Sequence, residues 1–356
     1  MEFLEGAMPA IDAWMVWLLE SQAGPTKGSF RWRGRPAHTD KLAANTLASG
    51  LDDFPRASQP SEDEYHVDLL SWMVKACRVV ARVDAALRAE AGTVRYELSR
   101  DYSRLGDELL AGLEELHWDE GASSFHDVGL HSDDGVIVTE VVLRCAAPDG
   151  STIDTSVPTE LLETRRVPCP ASHPRFLYPL GDGRGGYLMR ERFIEKTRKV
   201  QHVRHLGYVS IFPFMLKLLD PASDKLGAVL DAVESPDQLW SSHGIRSLSA
   251  ADPFYRRANA PGDAPYWRGA IWMNVNYLIL GALHHYAREE GPQRARASKL
   301  YDLLRANLLQ TVLGELGATG VLWEHYDDAT GKGMRGHPFA GWTALVVAIM
   351  AEMFPA

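Results

Sequence analysis

The chain has 356 residues, 46% of them hydrophobic and 24% charged, which suits a globular protein with a large core and excludes disorder. A net charge of -10 argues against nucleic acid as a partner, because a phosphate-binding surface would be basic. Cys77, Cys145 and Cys169 are too few and too scattered for a CxxC metal site and permit at most one disulfide. The opening Met1-Glu2-Phe3-Leu4-Glu5-Gly6 lacks a basic leader, and no run reaches the roughly 20 apolar residues of a membrane span.

Ile11, Trp14, Met15, Leu18 and Leu19 recur at helical spacing and predict an amphipathic first helix that ends at Gly24-Pro25. A second helix is predicted after Pro60, where Ser61 and Glu64 form a capping-box pattern, and runs through Val67, Leu70, Val74 and Cys77. A third covers Ser99 to Leu116. From 121 to 200, Gly, Pro and short β-branched runs such as Val136-Ile137-Val138-Thr139 predict a β-hairpin insertion. Helices are predicted again after Leu206, with Pro213 in a first turn or kink, then at Trp267 to Tyr286, Gln293 to Leu309 and Gly341 to Phe354. No linker or repeat period divides the chain, so a single domain over 1–356 is expected, mainly α and toroidal, with the insertion inside it.

Two acidic blocks carry the chemistry. Ser49-Gly50-Leu51-Asp52-Asp53-Phe54-Pro55-Arg56 and Leu322-Trp323-Glu324-His325-Tyr326-Asp327-Asp328, the latter followed by Gly341-Trp342, each set acids among aromatics and glycines. Glycoside cleavage needs one carboxyl group to protonate the leaving oxygen and another to activate water, with aromatic faces for the sugar ring. Turn chemistry alone also accounts for Asp52 and Asp53, but adjacent acids perturb each other's protonation as a general acid requires. Glu64, His66 and Asp68 are expected in the first turns of the second helix, as dipole partners or as a hydroxyl-binding ridge. Tyr266, Trp267, Arg268, Trp272, Asn274 and Asn276 open an apolar helix, where amides need partners that sugar hydroxyls could supply.

Other patterns carry less. His284-His285 are adjacent and point apart on a helix, so no metal is expected. Asp327-Asp328-Ala329-Thr330-Gly331 lacks the oxygen ligands of a calcium loop and reads as a turn. Gly181, Gly183 and Gly186 match G-x-G-x-x-G, but no acid for a ribose follows, so the glycines read as a hairpin tip and no cofactor is expected.

Ser-Gly-Leu-Asp-Asp-Phe-Pro-Arg-Ala at 49–57, Glu-Tyr-His-Val-Asp at 64–68, Leu-Gly-Tyr-Val-Ser at 206–210, Tyr-Trp-Arg-Gly at 266–269 and Trp-Glu-His-Tyr at 323–326 resemble glycoside hydrolase family 63, the processing α-glucosidases. The resemblance runs from about residue 11 to the end and weakens across the insertion. It implies an (α/α)6 barrel, a six-hairpin toroid, here incomplete at its N-terminal helices. It also implies an inverting enzyme that removes the terminal α-1,2-linked glucose from the N-glycan precursor in the endoplasmic reticulum lumen. The implied partner is a glucosylated N-glycan, with no nucleic acid and with a membrane only through a parent anchor absent here. Asp52 matches the general acid and Glu324 the general base, while Arg56, Glu64, His66, Asp68, Tyr266, Trp267, Arg268, Trp272, Asn274, Trp323 and Trp342 are the expected substrate-binding residues. Tyr65 stands where the family has Arg. The competing readings are a relative that hydrolyses another small α-glucoside and a non-catalytic sugar-binding remnant.

Overall fold

The computed structural model describes residues 2–34, 46–92, 94–159, 162, 169–183, 185–194, 197–258 and 263–355. Helices α1 (Glu2–Ser21), α2 (Val67–Ala91) and α3 (Tyr102–His117) come first. After the strand-rich region follow α4 (Phe212–Met215), α5 (Asp224–Glu234), α6 (Met273–Tyr286), α7 (Arg294–Thr319) and α8 (Leu345–Met350). Packed pairs form the helical body: α1 lies on α2, α2 on α3, and α6 on both α7 and α8. In α3 the Asp101 side chain caps the first turn by accepting from the Arg104 amide at 3.0 Å, and Leu109 and Leu113 at i, i+4 enter the core. Each such leucine contributes about 1.5–3 kcal/mol by leaving water.

The second helix begins later than its capping pattern predicts. Tyr65 and Val128 exchange backbone hydrogen bonds at 2.8 and 3.0 Å, so this segment is extended and α2 starts only after His66, whose side chain makes no cap. Pairing with a strand outcompetes the local Ser61–Glu64 signal, and of the Glu64, His66 and Asp68 set only Asp68 sits in the helix.

Strands β1 (Trp118–Asp119), β2 (Ser124–Phe125), β3 (Asp127–His131), β4 (Val136–Ala146), β5 (Thr152–Pro158), β6 (Arg175–Pro179), β7 (Met189–Ile194) and β8 (Lys199–Val203) fill the region between α3 and α4. The protein is therefore mixed helix and sheet rather than mainly α, and the region is more than a hairpin. The 11-residue β4 is long enough to take three antiparallel partners: β5 and β6 flank its C-terminal half and β7 pairs with Val136–Val141. Val141, Leu143 and Val157 form a separate small core there, and a disulfide joins Cys145 of β4 to Cys169. β3 pairs with β8 in a separate two-stranded sheet, and β3 lies against α3. Short hairpins pair β9 (Trp240–Ser241) with β10 (Gly244–Ile245), and β11 (His325–Tyr326) with β12 (Gly333–Met334). No helix among the described residues is long and apolar enough to cross a membrane.

Candidate active site

The Asp52–Asp53 pair sits on a tight turn. A short 3-10 segment, Leu47–Ser49, ends at Gly50, whose φ of 74° is the left-handed conformation that glycine adopts without strain. The chain then buries Leu51 and Phe54 in the core, with the Phe54 amide donating to Leu51 O at 3.1 Å. The acids between these two anchors take opposite roles. Asp53 is 4% exposed, and its carboxylate accepts the amides of Tyr266 at 2.9 Å and Trp267 at 2.6 Å. Asp52 is half-buried, and its carboxyl group makes no hydrogen bond or ion pair among the described residues. Burial first, and the neighbouring Asp53 charge second, push the Asp52 carboxyl above its ordinary value.

Glu324 precedes β11 and is fixed from several sides. Its amide donates to Gly336 O at 2.9 Å, the Gly336 amide returns to Oε2 at 3.1 Å, and Trp342 Nε1 donates to its carbonyl at 2.6 Å. The Tyr266 hydroxyl donates to Oε1. Burial, the bond to Glu324 and the charges of Glu324 and Asp52 all raise the Tyr266 phenol, against a lowering effect of Arg335. The Arg335 guanidinium lies 4.6 Å from the centroid of the Tyr266 ring, a cation–π contact. Tyr266 thus ties the two acidic blocks together, through its amide to Asp53 and its hydroxyl to Glu324.

The four tryptophans divide. Trp267 and Trp272 stack at 3.7 Å and are 4% and 0% exposed, so their faces serve each other and the core. Trp272 also stacks on His325 at 4.6 Å. Trp323 and Trp342 are half-buried. Trp323 lies against His337 at 3.9 Å and so tightly over the backbone that a Cβ at Gly333 would come within 2.0 Å of its ring. Any side chain at Gly333 would displace the ring next to Glu324.

The remaining predicted residues form struts rather than open walls. Arg268 is fully buried; it donates to Asp53 O at 2.8 Å and Arg257 O at 3.0 Å, and burial lowers its guanidinium. Arg56 is held between Asp68 at 2.6 Å and Asp127 at 2.7 Å, all three nearly inaccessible. Asp127 also accepts the Val67 amide at 2.9 Å, which fixes the start of α2. His66 Nδ1 accepts the Trp32 amide at 2.8 Å, and Asp68 accepts Trp32 Nε1 at 3.1 Å. Glu64 and Trp32 line a cavity of about 330 Å³. Asn276 is satisfied by protein alone: its amide group bonds Ile245 N at 2.8 Å, Tyr208 Oη at 2.9 Å and Trp272 O at 3.0 Å. Asn274 Oδ1 is buried without a partner among the described residues. Asp327 caps its own turn through the Ala329 and Thr330 amides, as the turn reading expects.

Trp32, Asp127 and the hydroxyl role of Tyr266 were not among the sequence expectations for these contacts. Each acts through a partner far away in the chain, so no local pattern announces it.

Residues 1–167 and 174–352 match the Glycosyl hydrolase family 63 C-terminal domain. The chain is a glycosyl hydrolase by descent, and it belongs to family 63. Alpha-glucosidase 2 of Arabidopsis thaliana is 35% identical over 100% of this chain and 40% of its own length. Mannosyl-oligosaccharide glucosidase GCS1 of the same plant is 35% identical over 100% of this chain and 37% of its own. The chain therefore spans well under half the length of these relatives. A solved sialidase structure aligns over 98% of this chain and 24% of its own, with a TM-score of 0.56 at 12% identity, a likeness of fold alone.

Proposed function

We propose that this chain carries the acid–base pair of an inverting α-glucosidase that removes the terminal α-1,2-linked glucose of a glucosylated N-glycan, as a mannosyl-oligosaccharide glucosidase does. The observation that carries this reading is the unlike setting of two acids near one tyrosine. Among the described residues Asp52 is unpaired, and its carboxyl is raised, as an acid that must hold its proton requires, whereas both oxygens of Glu324 accept hydrogen bonds. In the scheme Asp52 gives its proton to the glycosidic oxygen. Glu324 takes a proton from a water that attacks the anomeric carbon from the opposite face, leaving β-glucose. Asp53 and Arg268 hold the acid's turn; Tyr266 and Gly336 hold the base. Half-buried Trp323 and Trp342 offer apolar surface to the sugar.

The scaffold is proposed to be the incomplete (α/α)6 toroid of the family, with residues 1–356 one catalytic domain and 121–200 an insertion within it. The paired helices are consistent with hairpins of that architecture. The site is proposed to work in the endoplasmic reticulum lumen. The Cys145–Cys169 disulfide supports an oxidising compartment, and the relatives' names support glycan processing.

The test is the anomer first released from a triglucosylated oligosaccharide, read by proton NMR before mutarotation. β-Glucose is expected. α-Glucose first, or undiminished release after Asp52→Asn, overturns the scheme.

A further inference from the structure

A cavity of about 530 Å³ opens between the turn joining β3 to β4 and residues 253–257, and none of its lining belongs to the Asp52–Glu324 site. Pockets of this size hold small ligands. His205 is 8% exposed and lines it. Its Nδ1 donates to the buried carboxylate of Asp252 at 2.8 Å, which orients the ring and leaves Nε2 as its other polar atom. Edge contacts with His131 at 5.4 Å and Phe254 at 5.1 Å hold the ring. Among the described residues Nε2 has no partner.

Two arginines in the lining are half spent. Arg204 gives Nε and Nη2 to Asp119, and among the described residues Nη1 is left over. Arg257 gives Nε to Pro253 O and Nη1 to Glu191, and among the described residues Nη2 is left over. Asp133 offers a carboxylate in the same wall, and Val136, Ile137 and Phe254 supply apolar surface.

This lining selects its ligand by elimination. Both guanidinium charges are already balanced by Asp119 and Glu191, and Asp133 adds a negative charge, so a phosphate or carboxylate meets no net attraction. A purely apolar ligand would strand the His205 and arginine nitrogens without partners. A neutral ring that carries donors and acceptors on its rim and C–H surface on its face satisfies both groups. We propose that this cavity is a second saccharide site, which takes a hexose unit away from the catalytic cleft. The chemistry of the site stands on its lining; only the claim that the hexose belongs to a glycan substrate rests on the function proposed above.

The experiment titrates the whole chain with methyl α-D-glucoside and methyl α-D-mannoside and follows imidazole nitrogen resonances by NMR. The His205 signal is assigned by its loss in His205→Gln. A saturable His205 shift is expected, weakened about tenfold or more in Arg257→Met and unchanged in Glu324→Gln. The Arg257 side chain is 40% exposed, so its replacement tests the site without threatening the fold. Overturning results are a His205 resonance that neither sugar moves, an Arg257→Met titration like that of the parent chain, or a His205 response to inorganic phosphate in place of the sugars. Sugars that move His325, beside Glu324, but not His205 sink this proposal and leave the catalytic reading standing. Movement of His205 without His325 supports the site and counts against the catalytic reading.

Discussion

The Tyr266 hydroxyl donates a hydrogen bond to Glu324 Oε1, so the residue expected to act as base is oriented by the same segment that Asp53 pins. Tyr266→Phe deletes only this bond, since the ring contacts to Trp272 at 4.5 Å and to Arg335 remain available. The turnover number for glucose release should fall about tenfold, with oligosaccharide affinity within about threefold of the parent chain. A change confined to affinity would place the tyrosine in binding instead.

Glu324→Gln keeps shape and the hydrogen bonds to Gly336 while removing the base. Glucose release should drop about 100-fold or more with glycan binding retained, since general-base contributions are of that order. Near-normal turnover in this variant refutes the role.

Arg56→Ala should unfold the protein more readily without touching the chemistry directly. The substitution leaves Asp68 and Asp127 facing each other inside the protein, and removing one partner of a buried ion group costs about 3–5 kcal/mol. Urea denaturation measures it. A loss below about 1 kcal/mol would mean that the network is open to water.

Three buried histidines add to the acid sensitivity of the fold. Burial lowers His117 to about 4, His126 to about 3 and His325 to about 4, from the ordinary 6.5. The unfolded chain therefore takes up protons first. Their contribution to stability is fully present above the unfolded value of 6.5 and is lost progressively as pH falls from 6.5 toward 4. Calorimetry at pH 7.5, 6 and 5 should show a falling Tm, with the slope reduced in His117→Asn. A Tm that rises over this interval contradicts the assignment.

The acidic blocks were legible because turns and aromatics flag themselves locally, and the apolar spacing of α1, α3 and α6 marked helices without help from tertiary contacts, although α6 begins at Met273 and not at the expected Trp267. The start of α2 was not legible. A good local cap at Ser61–Glu64 lost to pairing between Tyr65 and Val128, an interaction 63 positions apart that no window reads. Trp272 and Asn276 looked like a sugar platform because burial is invisible in a sequence: an amide in an apolar helix demands partners, but Ile245 and Tyr208 supply them as well as a hydroxyl would. Asp52 and Asp53 were indistinguishable as neighbours in the sequence. Only the distant amides of Tyr266 and Trp267 separate the strut from the free carboxyl.

That separation also bears on how the protein folds. The bonds from Asp53 to Tyr266 and Trp267 close loops of 213 and 214 positions, whereas the contacts within α2–α3 and within β4–β5 are local. Chain closure of that span is entropically expensive and comes after local structure has formed. During refolding, helicity should therefore recover in an early phase, and the ordering of the Asp52 turn should coincide with the last. Activity would then report complete tertiary assembly, whereas circular dichroism would not.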